Sequence, residues 1–217
     1  KIPSGEINNL PYLRFIGKFN KKIILSTGMA SLKEIEMAIK ILKKAGTDSK
    51  KITVLQCNTE YPTPYSDANL NAMQTIKKKL GLEVGYSDHT QGIEVPIAAA
   101  ALGAKVIEKH FTLNKKMYGP DHSSSLDPKE LKILVDELKK TEILLGSKTK
   151  KSQPCEYLNM RSIRKSIVAK KNIRKNEKIY ESMLTAKRPG TGISPMKLKN
   201  IINKPSKKNI KKNEMLK

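Results

Sequence analysis

Lys22-Ile23-Ile24-Leu25-Ser26-Thr27-Gly28, followed by a helical pattern from Ser31 to Lys44, is the stretch that decides the fold. A short apolar run that ends in small polar residues and gives way to a helical period reads as strand, loop and helix. Ser31 with Glu34 three residues on predicts a capping box at the helix start, and Gly46 predicts its stop. The next segment repeats the plan: Ile52-Thr53-Val54-Leu55-Gln56-Cys57 as a buried strand, Tyr61-Pro62-Thr63-Pro64 as a loop, and Ala68 to Leu80 as a helix.

Two more units follow. Glu83-Val84-Gly85-Tyr86-Ser87 leads through Asp88-His89-Thr90 into an alanine-rich helix from Gly92 to Leu102. Lys105-Val106-Ile107-Glu108-Lys109-His110-Phe111 is followed by a long loop and a helix from Asp127 to Leu145. Strand alternating with helix implies a parallel sheet whose functional loops lie at the strand C-termini. Residues 1–6 read as the end of a preceding strand plus its loop. Periodicity alone leaves two architectures open, half of an eightfold barrel or part of an open doubly wound sheet. No glycine-rich nucleotide loop is present, which disfavours the common open-sheet nucleotide binders.

After Gly146 the texture changes. Residues 147–159 are polar and read as a linker, and residues 160–217 read as a small, turn-rich domain with strands such as Ser166-Ile167-Val168-Ala169. The charge is uneven as well. Of 217 residues, 43 are Lys or Arg and 20 are Asp or Glu; residues 1–146 carry a net +6 and residues 147–217 a net +17. Such a tail suits anionic partners. Nucleic acid is disfavoured, because Tyr157 and Tyr180 are the tail's only aromatics and offer no stacking platform. No apolar run approaches the ~20 residues of a membrane span. Cys57 and Cys155 form neither a disulfide framework nor a metal knuckle, no leader-like segment opens the chain, and a reducing, cytoplasmic compartment is expected. The opening Lys1-Ile2-Pro3-Ser4-Gly5-Glu6, without Met or a complete first strand, suggests a fragment.

The chemistry concentrates at strand ends. His89 and His110 each end a strand, one unit apart, so that neighbouring strands bring two imidazoles to one face, which suits a divalent metal as well as a pair of core histidines. Ser4, Ser26, Thr59 and Ser87 occupy equivalent positions with Lys1 nearby, a set that fits a phosphate or carboxylate ligand or ordinary turn chemistry. Glu6, Glu108 and Asp121 are candidate acids, bases or metal-linked groups, Tyr61 a candidate pocket wall, and Arg188, before Pro189-Gly190, a guanidinium for an anion.

Together these stretches resemble the sialic acid synthase family, the enzymes that condense phosphoenolpyruvate with an N-acylated mannosamine-type sugar. The resemblance is carried by Lys1 to Asn9, Ile24-Leu25-Ser26-Thr27-Gly28-Met29, Tyr61-Pro62-Thr63-Pro64, Gly85-Tyr86-Ser87-Asp88-His89-Thr90, Glu108-Lys109-His110-Phe111-Thr112 and Gly119-Pro120-Asp121-His122. Arg164-Lys165-Ser166-Ile167-Val168-Ala169 and Lys187-Arg188-Pro189-Gly190-Thr191-Gly192 resemble its antifreeze-like, or SAF, domain. Cys57-Asn58-Thr59-Glu60-Tyr61 departs from the Cys-Thr-Ser or Cys-Thr-Asn of some members.

The resemblance implies an α/β fold, the C-terminal portion of a TIM (β/α)8 barrel over residues 1–146, joined to a β-rich SAF domain. It implies that His89 and His110 bind Mn2+ or Mg2+, that Lys1, Ser4, Ser26 and Ser87 hold phosphoenolpyruvate, that Glu6 is an active-site carboxylate, and that Tyr61 and Asp121 contact the sugar. Arg188 matches a residue that reaches the active site of the partner in a domain-swapped homodimer. The implied reaction is a metal-assisted condensation with C–O cleavage, giving a nine-carbon 2-keto acid and phosphate. A legionaminate or pseudaminate synthase, another phosphoenolpyruvate aldol synthase, and a non-catalytic basic fragment binding carbohydrate or nucleic acid are the alternatives. The fragment alone is expected to be inactive, since a full barrel needs about 250 residues.

Overall fold

The computed structural model describes residues 1–217 as two compact units, Lys1–Gly146 and Ser147–Lys217. In the first unit, strands β1 (Ile23–Ser26), β2 (Ile52–Cys57), β3 (Glu83–Asp88) and β4 (Ile107–Lys109) form one sheet in that order, every pair parallel. Ile2 pairs in parallel with Leu25, as the strand stub predicts, and Leu126 pairs in parallel with Phe111 beside β4. The helices α1 (Leu10–Gly17), α2 (Leu32–Ala45), α3 (Asn71–Leu80), α4 (Glu94–Ala101) and α5 (Pro128–Leu145) alternate with the strands.

Local chemistry sets these boundaries. Ser31 Oγ accepts the Glu34 N–H while the Glu34 carboxylate accepts the Ser31 N–H at 2.7 Å, and Gly46, at φ 124°, ends the helix. Asp127 and Glu130 build a second capping box on α5, with Pro128 at its first position. Ile23, Leu25, Ile52, Val54 and Val84 join Ile35, Ala38, Leu42, Met73 and Ile76 in the main core, so one face of the sheet is sealed by the helices. Gly85 has a packing reason: a Cβ there would lie 2.3 Å from the Val106 carbonyl oxygen and 2.6 Å from Leu55 Cδ2. That close approach lets β3 pair with the residues entering β4.

Two elements differ from the sequence reading. The helix α1 lies in a stretch where none is predicted; it is eight residues long, carries Pro11 in its first turn and is started by the Asn9 side chain, which accepts the Tyr12 N–H at 3.2 Å. Helix α6 (Tyr157–Ile163) starts inside the stretch read as linker and runs on into residues read as domain.

In the second unit β5 (Ser166–Ala169) pairs antiparallel with β6 (Leu184–Lys187), and single bridges link Val168 to Met215, Ile173 to Ile210 and Lys178 to Pro205. Ile167, Ala169, Ile173, Ile179, Met183, Leu184, Ile210 and Leu216 form its own core. No helix of the chain is long and apolar enough to cross a membrane.

Candidate active site

Side chains alternate along a strand, so β3 sends Tyr86 and Asp88 to the helix side and Ser87 to the other. The hydrogen bonds agree: the Tyr86 hydroxyl donates to the Ala68 carbonyl at 3.1 Å, whereas Ser87 Oγ donates to Glu108 Oε1 at 2.7 Å. On that second face, at the C-terminal strand ends, the functional groups gather. Lys1 Nζ lies 2.6 Å from both oxygens of Glu108. Burial alone would raise the Glu108 carboxyl, but the hydrogen bonds from Lys1 and Ser87 and the Lys1 charge outweigh it and hold it below its ordinary 4.5. The carboxylate is therefore ionised and oriented at neutral pH.

One residue beyond β3 and β4, the two histidines meet. Their ring centroids are 5.0 Å apart at 73°, and Tyr61 lies 4.1 Å from His89 and 5.2 Å from His110, ring centre to ring centre. His89 Nδ1 is 2.6 Å from the Asn58 carbonyl oxygen, so Nδ1 carries the proton and Nε2 keeps its lone pair. Burial, the larger influence, lowers the His89 imidazole below its ordinary 6.5 against the opposing pull of that carbonyl, with His110 adding to the lowering. A neutral ring with a free Nε2 is the form that ligates a metal. His110 Nδ1 lies 3.9 Å from Asp121 Oδ2, and its own carbonyl accepts the Leu126 N–H at 2.9 Å, which fixes the strand end. No group of three or more His, Cys, Asp or Glu converges here, so a divalent ion held by this pair would complete its shell with water or substrate oxygens.

The predicted anion-binding residues are placed unequally. Ser4 Oγ accepts the Gly28 N–H at 2.9 Å, leaving its own proton to donate, whereas the Ser87 proton is committed to Glu108. Ser26 is buried and its Oγ has no partner, a donor that an oxyanion would satisfy. The Glu6 carboxylate accepts from Asn9 Nδ2 at 2.6 Å and is not hydrogen-bonded to the predicted site residues. Arg188 belongs to the second unit; it is exposed, and the turn that carries it is pinned by Ser166 Oγ donating to the Pro189 carbonyl at 2.7 Å and by the Gly190 N–H donating to the Arg161 carbonyl at 2.8 Å. His122 instead pairs with Thr112 Oγ1.

Sequence reasoning left three groups without a role here. Cys57 is buried with Sγ 3.9 Å from His89 Nδ1, and burial pushes its thiol up, so it stays a protonated wall of the site. Asp88 and Lys109 form a buried ion pair at 2.5 Å. The signal was available: a charged residue on the helix-facing side of a buried strand needs a partner.

Residues 1–150 match the family model described as the NeuB family, and residues 164–217 match that of the SAF domain. The chain belongs to the NeuB family. It is accordingly an α/β protein, part of a TIM barrel followed by an SAF domain. It is 53% identical over 216 residues to N,N'-diacetyllegionaminic acid synthase of Campylobacter jejuni, covering 100% of this chain and 65% of that protein. It is 36% identical over 217 residues to pseudaminic acid synthase of the same organism, covering 100% of this chain and 62% of the relative. The crystal structure of N-acetylneuraminic acid (sialic acid) synthetase from Leptospira borgpetersenii matches with a TM-score of 0.67 and 40% identity, over 73% of this chain and 55% of that one. The NeuB-family chain spans between about half and two thirds of the length of the curated relatives it matches.

Proposed function

We propose that the protein to which these residues belong condenses phosphoenolpyruvate with an N-acylated mannosamine-type sugar and consumes one water, which adds at C2, releasing phosphate and a nine-carbon sialic-type acid. The observation that supports this best is the convergence of His89, His110 and Tyr61 at the strand ends that also carry the Lys1, Glu108 and Ser87 network. His89 and His110 would hold Mn2+ or Mg2+. When bound, the ion supplies Lewis acidity toward the sugar's carbonyl oxygen. Lys1, with three donors and two of them facing Glu108, keeps capacity for a phosphate or carboxylate oxygen, and Ser4 and Ser26 add hydroxyl donors. Ser87 acts through Glu108, which it orients. Glu6 is an active-site carboxylate poised by Asn9. Tyr61 and Asp121 flank the histidines from two loops and face the sugar.

In the working protein Arg188 would reach from the SAF unit of one copy over the site of a second, in a cytoplasmic homodimer. Its pinned turn suits that task, since a guanidinium held on a rigid loop loses little freedom on binding an anion. Among sugars, the 53% identity to a legionaminic acid synthase, against 36% to a pseudaminic acid synthase, favours the legionaminate-type substrate over the pseudaminate type. The test is phosphate release from phosphoenolpyruvate by the whole protein to which these residues belong, in the presence of Mn2+ and each candidate sugar. Release that depends on sugar and metal together, and that falls about 10²-fold or more in His89→Ala, is the expected result. Sugar-independent release, or none with any N-acylated mannosamine, would overturn the assignment.

A further inference from the structure

The buried charges left unused by that reading are Asp88 and Lys109, whose side chains are 0% and 3% exposed. They sit opposite each other in the β3–β4 register, on the helix-facing side of the sheet. Stability alone is a poor reason for such a pair, because apolar side chains of like volume commonly serve a fold as well or better. The hydrogen bonds give a different reason. Lys109 Nζ holds both Asp88 Oδ2 and the Thr90 carbonyl oxygen. Asp88 in turn accepts the Thr90 N–H at 3.0 Å and the Thr90 hydroxyl at 3.1 Å.

One ammonium group therefore grips the residues on both sides of His89, and the residue that carries it is the one preceding His110. The backbone at one imidazole is tied to the backbone at the other through the far side of the sheet, behind the face where the rings meet 5.0 Å apart. An apolar replacement would fill the space and leave the Thr90 carbonyl without its donor.

We propose that Asp88, Thr90 and Lys109 form a clamp that sets the spacing of the His89 and His110 imidazoles, and are positioning residues for the divalent ion. The inference rests on the metal reading above. Groups that hydrogen-bond a ligating imidazole directly typically change metal affinity by about 10- to 100-fold when removed, and a clamp that reaches both histidines through the backbone belongs at the lower end of that range.

The test is Mn2+ binding to the purified full chain, read from the electron paramagnetic resonance signal of free Mn2+, with urea unfolding of the metal-free protein measured alongside. Lys109→Met should bind Mn2+ about 10-fold more weakly while unfolding cooperatively. Lys109→Arg should recover part of the loss. If Lys109→Met does not fold, Thr90→Val removes one hydrogen bond at nearly constant volume and should weaken binding about threefold. Folded variants that all bind Mn2+ within experimental error of the parent would overturn the clamp. A parent chain that binds no Mn2+ would overturn the metal reading and the clamp with it, so the two failures are distinguishable.

Discussion

The tautomer of His89 is set by a main-chain oxygen. With Nδ1 donating to the Asn58 carbonyl at 2.6 Å and burial opposing the charged ring, the imidazole of the metal-free protein should half-titrate below 6.5, with the proton of the neutral form on Nδ1. Nitrogen-15 chemical shifts of the ring, followed through the titration, read both quantities. A half-point at or above 6.5 would contradict the burial argument. The two histidines were legible because each stands at a strand end one unit from the other. The partner of His89 was not, since any residue type at position 58 offers the same carbonyl. Asp88 and Lys109 were hidden for another reason: a neighbour in sequence to a histidine reads as loop chemistry until the strand register places it on the opposite face.

The βα units were readable because their apolar runs, caps and stops agree. The helix α1 was not, because eight residues with Pro11 in the first turn carry little period and its cap resides in one side chain, Asn9. Between β3 and β4 the close approach at Gly85 predicts a large cost for a single methyl group. Gly85→Ala places a Cβ against the Val106 carbonyl and should destabilise the first unit by about 1–3 kcal/mol, seen as a lower urea midpoint at unchanged slope. On α5 the prediction concerns pH. The hydrogen bond from Lys115 and that from the Asp127 backbone lower the Glu130 carboxyl from 4.5, so it contributes stability that is complete above 4.5 and is lost as pH falls through its lowered value. Glu130→Gln, which can keep the capping geometry, should fall less steeply in thermal midpoint below that pH than the parent. An unchanged acid slope would show that the capping carboxylate is not the group being titrated.

The two units have separate cores, and the second carries most of the chain's net charge. Residues 147–217 expressed alone should unfold cooperatively, since Ile167, Ile173, Ile179, Leu184 and Ile210 bury one another without help from residues 1–146. With a net +17 on so small a body, self-repulsion should make its thermal midpoint rise with added salt, whereas a chain lacking that core would show no transition to shift. The change in composition and charge falls where the chain divides into two units, after Gly146, whereas no comparable change marks the start of α6, which is hidden inside the polar stretch.

The contact between Lys1 and Glu108, which lies in β4, joins residues 107 apart, with three strands threaded between them. Closing so long a loop is entropically costly, and a half-exposed ion pair offsets only a little of that cost. The charged end of the site should therefore be a late arrival in folding and an early departure in unfolding. An anion that bridges Lys1 to the serines of later strands would act as a staple across the whole sheet, slowing its opening in proportion to how tightly it is held.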